Sequence, residues 1–62
     1  MISLTRANGF PIVVNADLIE LVERVEGQTV VTLTSGNALA VAEEPAAVLE
    51  AVVAYRRRIG LL

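Results

Sequence analysis

The sequence contains no cysteine, histidine, tryptophan or lysine, and its only aromatic residues are Phe10 and Tyr55. Each absence removes a class of chemistry. Without histidine or cysteine there is no Ser-His or Cys-His couple and no thiolate nucleophile. Without lysine there is no Schiff base. Neither a disulfide nor a Cys/His zinc site can staple the fold. Asp17, Glu20 and Glu23 are spaced closely enough to suggest a carboxylate cluster, but a chain of 62 residues has little material to enclose a cleft around them. The expectation is a protein that is not an enzyme and takes no cofactor or metal.

Charge is also sparse. Five arginines face seven carboxylates, for a net charge of −2. That balance argues against nucleic acid as a partner, because phosphate binding needs a basic surface. The run Gly27 to Ala42 carries no charge, but Gln28, Ser35, Asn37 and three threonines interrupt it. It is too short and too polar to span a bilayer. No basic residue precedes the first apolar stretch, so no export signal is read and the expected location is cytoplasmic.

What the chain has in abundance is apolar side chains, which make up 55% of it. A chain this short hides only about 60% of its unfolded surface on folding and stands near the limit of a self-supporting core. An apolar surplus with no covalent staple predicts burial against a second subunit, hence a homo-oligomer.

Alternating and turn-forming residues organise the sequence. Residues 2–6 read as a strand with Ile2 and Leu4 on one face. Ala7-Asn8-Gly9 is a turn. Residues 10–14 return as a strand with Phe10, Ile12 and Val14 on one face, and Pro11 suits an edge or a strand start. Residues 18–25 fit two patterns. As a helix, Asp17 would cap and Leu18, Leu21, Val22 and Val25 would share a face. A turn at 15–17 followed by a strand is preferred, for three reasons. The helix would be barely two turns long, β-branched residues occupy 19, 22 and 25, and the next strand needs an antiparallel neighbour. After Glu26-Gly27-Gln28, residues 29–34 form the clearest strand, with Thr29, Val31 and Leu33 on one face. Ser35-Gly36-Asn37 turns the chain into a strand at 38–42.

Glu43-Glu44-Pro45 opens a helix over 45–59, proline fitting its first position and the carboxylates its positive end. Val48, Val52 and Ile59 form its apolar stripe, flanked by Leu49 and Tyr55. Gly60 caps it, and Leu61 and Leu62 are expected to pack on the sheet or on a neighbour. The predicted fold is a small α+β domain over 1–62, a five-stranded antiparallel meander with one C-terminal helix packed on it. A single helix of about 15 residues, ~22 Å long, leaves part of five strands uncovered, which again points to an oligomer.

Two constellations are candidate partner contacts. The segment Asn15, Asp17, Leu18, Ile19, Glu20 puts turn-forming side chains and two carboxylates around two apolar residues. Local capping by Asn15 or Asp17 is the simpler reading of its polar members. Arg56 and Arg57, with Arg58, fan out around the helix end rather than forming a patch. They suit the helix dipole and solubility, or contact with an acidic partner.

The order of these pieces is familiar. Leu4-Thr5-Arg6-x-Asn8-Gly9 is followed by Asn15-x-Asp17-Leu18-Ile19-Glu20, then by Thr29-Val30-x-Thr32-Leu33-Thr34 and a helix ending Tyr55-Arg56-Arg57. Over nearly its whole length the chain resembles the FlbD/SwrD family of small flagellar and swarming-motility proteins. It departs from that pattern at the turn Glu26-Gly27-Gln28, at Ser35-Gly36-Asn37 and in having no lysine. The resemblance implies a cytoplasmic, non-enzymatic adaptor supporting motor power or swarming, with a stator, motor or basal-body protein as partner and no transferable catalytic residue. A second resemblance, to the small oligomeric RNA-binding regulator CsrA, rests on Leu4-Thr5-Arg6 and the element order. The later arginine-bearing strand of that family is missing, since residues 29–34 carry no cation.

Overall fold

The computed structural model describes residues 1–60; the expected packing of Leu61 and Leu62 lies outside them. Five strands and one helix follow in order: β1 (Ile2–Thr5), β2 (Pro11–Val14), β3 (Ile19–Val25), β4 (Gln28–Leu33), β5 (Ala38–Val41) and α1 (Pro45–Arg58). The fold is small α+β, and all its strand pairs are antiparallel. The strands divide into a two-stranded sheet, β1-β2, and a three-stranded sheet, β3-β4-β5. They divide because a single 3-10 turn, Ala16–Leu18, separates β2 from β3. Ala16 is 1% exposed and belongs to the core, so the chain turns inward there instead of pairing β2 with β3.

Turn chemistry sets the three hairpins. In the first, Gly9 N–H donates to the Arg6 carbonyl (2.8 Å) and Arg6 N–H donates to Phe10 (2.8 Å). Leu33, Gly36 and Asn37 repeat this pattern between β4 and β5. The β3–β4 turn is tighter, with Glu26 and Gly27 alone between the paired Val25 and Gln28. Both take positive φ, 50° and 82°, which matches the twist of the flanking strands. Phe10 belongs to the first turn and is exposed, whereas Ile12 and Val14 are partly and fully buried. The alternation that grouped the three does not extend past Pro11, where β2 begins.

The core gathers Ile2, Leu4, Val14, Ala16, Val31, Val41 and Val48, and β3 packs against it only through the partly buried Ile19 and Val22. The outer end of β1 joins the sheets. Arg6 forms an antiparallel bridge with Val41, Ala7 N–H donates to Ala40 (3.0 Å), and Ala42 N–H donates to Thr5 (2.8 Å). Where the two backbones part, a side chain continues the ladder: Thr5 N–H donates to both carboxylate oxygens of Glu43, each at 3.0 Å.

That contact predicts a pH dependence. The Thr5 amide holds the Glu43 carboxyl below its ordinary value of 4.5, with desolvation pulling the other way. A folded-state value below the unfolded one adds stability that is present above the unfolded value and lost as pH falls through the folded one. Glu43→Gln is expected to lose about 1 kcal/mol near neutral pH. The gap from wild type should begin to narrow below the unfolded glutamate value and close below the folded one, and urea titrations at neutral and acidic pH measure both. An equal gap at both would remove the contribution assigned to this carboxylate.

Candidate functional site

The segment Asn15–Glu20 is held by its own backbone and by β4. Asn15 caps the 3-10 turn, its Oδ1 accepting from Asp17 N–H (3.0 Å), and Leu18 N–H donates to the Asn15 carbonyl (3.0 Å). Thr34 N–H donates to the Leu18 carbonyl (2.8 Å), tying the turn to the end of β4. With Ala16 buried beneath it, the turn holds Asp17 and Glu20 exposed and leaves Leu18 46% exposed. The sequence spacing Leu18, Ile19, Glu20 thus becomes a fixed alternation: one apolar residue out, one partly in, one carboxylate out. Capping explains Asn15. It does not explain why Leu18 stands in solvent.

Ile19 turns away from that surface into a groove of about 390 Å³ lined by Ile19 and Val22 of β3 and by Pro45, Ala46, Leu49 and Val52 of α1. The groove exists because the buried stripe of α1 centres on Val48 and leaves a flank of the helix beside β3. Leu49, expected to flank the core, lies 100° of helical rotation from Val48 and is 63% exposed at the groove's rim. Its role was accessible to the helical projection only once the partner of that flank was known. A charged pair adjoins the lining in sequence, next to Pro45 and two residues past Val22. Arg24 on β3 pairs with Glu44 just before the helix, and its other guanidinium nitrogen donates to the Gly27 carbonyl at 3.3 Å. Sequence reasoning did not find this pair, since 20 residues separate its members.

Arg56 and Arg57 are not part of this surface. They occupy the last turn of α1, Arg57 some 16 Å along the helix from Ala46 at ~1.5 Å per residue. Arg57 lines a shallow hollow with Leu49, Glu50, Val53 and Ala54. The seven candidate contacts therefore separate into two places: Asn15, Asp17, Leu18, Ile19 and Glu20 at the β3 end of the groove, and Arg56 and Arg57 at the far end of the helix.

Among the described residues no group of three or more His, Cys, Asp or Glu is arranged to hold a metal ion. No described helix is long and apolar enough to cross a membrane. The arrangement places an apolar groove beside a hydrogen-bonded acidic turn.

No curated protein and no solved structure is significantly similar to the chain. A family model does match it, that of FlbD, described as flagellar and swarming motility proteins, over residues 1–60. The match spans both the Asn15–Glu20 turn and the helix that completes the groove, and on it the chain belongs to the FlbD family of flagellar and swarming motility proteins.

Proposed function

We propose that this protein is a non-enzymatic adaptor that supports flagellar motility by docking on a motor, stator or basal-body protein from the cytoplasmic side. The observation that carries the reading is the clamped turn. Its backbone is hydrogen-bonded at Asn15, Asp17 and Leu18, so Asp17, Leu18 and Glu20 are presented with little conformational entropy left to lose on binding. The absence of histidine, cysteine and lysine supports the non-enzymatic part. A homo-oligomer belongs to the same reading. Phe10 and Val13 stand exposed on the β1–β2 hairpin, and burying such side chains against a second copy stabilises a small core.

Charge reversal tests the docking turn. Asp17→Lys with Glu20→Lys changes two exposed side chains whose carboxylates accept no hydrogen bond among the described residues. In a strain lacking the wild-type gene, this double variant is expected to swarm poorly while its purified form melts within a few degrees of wild type. Wild-type swarming by the double variant would remove the proposal.

A further inference from the structure

Among the described residues β3 is paired on one side only, with β4. The tight Glu26-Gly27 turn makes Val25 and Gln28 the first bonded pair, so by alternation Val25, Glu23 and Leu21 direct their backbone groups to β4. Val22 and Arg24 direct theirs to the open side. An edge of this length with free N–H and C=O groups is a template for another strand unless it is covered. A register shift between Ile19 and Leu21 interrupts the start of this edge, and along Leu21–Val25 neither a helix nor a proline covers it among the described residues: α1 lies over the inner face and leaves the groove of Ile19, Val22, Pro45, Ala46, Leu49 and Val52 beside the edge.

Two independent features thus coincide, a row of unpaired backbone groups and an apolar slot placed where an added strand would point every second side chain. A third feature sets the charge of the occupant. Of the seven carboxylates, Asp17, Glu20, Glu23 and Glu26 fall within 17–26; Arg24 is the single cation of that segment and is paired with Glu44, the residue before Pro45.

We propose that the open edge of β3 receives an extended segment of a partner protein, which adds as a fourth strand to β3-β4-β5, sets an apolar side chain in the β3–α1 groove and meets Glu20 and Glu23 with Lys or Arg. The proposal rests on the adaptor reading and names the chemistry of its partner. A second copy of this chain is disfavoured as the occupant, because each copy would bring its own 17–26 segment of net charge −3, four carboxylates against one arginine, to the shared edge. Nucleic acid is repelled by the same charges, and a small apolar ligand would leave the backbone of Val22 and Arg24 unpaired.

The test uses the purified full chain and a short probe peptide alternating Lys with Val and Leu. Titration followed by amide NMR is expected to protect the Val22 and Arg24 N–H groups from exchange and to shift Leu49 and Val52. Glu20→Lys with Glu23→Lys should weaken binding about tenfold, and N-methylation of alternate peptide residues should abolish it by removing the strand donors. A peptide alternating Glu with Val and Leu should not bind. No binding of the Lys peptide, equal binding of the Glu peptide, or binding indifferent to N-methylation would each overturn the inference. So would a doubling of mass with the same amides protected and no peptide present. These outcomes differ from failure of the adaptor reading, which the swarming of an Asp17→Lys single variant reports, since Asp17 lies in the 3-10 turn outside β3 and leaves Glu20 and Glu23 in place.

Discussion

Val48→Asp is expected to unfold the chain. Val48 is 0% exposed and is the buried residue that α1 contributes to the core, against Ile2, Leu4, Val14, Ala16, Val31 and Val41. No buried side-chain polar atom lacks a partner among the described residues, so the core holds no spare donor for a carboxylate. An unpaired polar group there costs several kcal/mol. A single core of this size supplies roughly 3–5 kcal/mol in all, so the substitution exceeds what is available. Far-UV circular dichroism at room temperature should show a disordered chain with no cooperative melt. Val48→Ala is the graded companion: losing two methyl groups costs about 2 kcal/mol and should leave a folded protein with a lowered midpoint. A cooperative wild-type melt for Val48→Asp would mean that α1 does not pack as described.

The elements that local pattern could reveal are those whose structure is local. Ile2 and Leu4 are buried and Ser3 between them is exposed, which is period-2 alternation and nothing more. Thr29 and Val31 are buried on the same principle. The choice of strand over helix for Ile19–Val25 turned on β-branched content and the need for a partner to β4, and both are properties of the segment and its neighbour. What pattern could not show was long-range partnership. The Arg6–Val41 bridge and the Glu43 carboxylate that replaces a strand at Thr5 join segments more than 30 residues apart, and nothing in either segment names the other. Ala16 illustrates the same gap: a small residue in a turn gives no hydropathy signal, yet its burial is what splits the strands into two sheets.

The candidate site was half legible for a related reason. Asn15, Asp17 and Glu20 have the side chains of a capped, exposed turn, and the 3-10 turn at Ala16–Leu18 carries them as such. Arg56 and Arg57, the second candidate contact, sit in the last turn of α1, and the helix axis keeps them apart from the 3-10 turn. The α1 wall of the groove went unseen, because Pro45, Ala46, Leu49 and Val52 become a surface only when β3 is laid beside them. Leu49 is the residue that changes most in meaning: apolar in the sequence, it stands in solvent at the rim of the slot that Ile19 and Val22 complete.

That position gives the largest functional effect expected of a single exposed substitution. Leu49→Glu places a carboxylate at the rim of the apolar groove facing β3, so it removes apolar contact and adds negative charge to the groove without touching the core. Exposed positions of this kind tolerate substitution within about 0.5 kcal/mol, so the variant should fold. The matched control is Ala47→Glu, which introduces the same group on the same helix at an exposed position outside the groove lining. The decisive measurement is swarm expansion of a strain lacking the wild-type gene and carrying wild type, Leu49→Glu or Ala47→Glu at equal protein level. Docking through the β3–α1 groove predicts loss of swarming for Leu49→Glu and normal swarming for Ala47→Glu. Normal swarming by a folded Leu49→Glu protein, or equal loss with both, would contradict it.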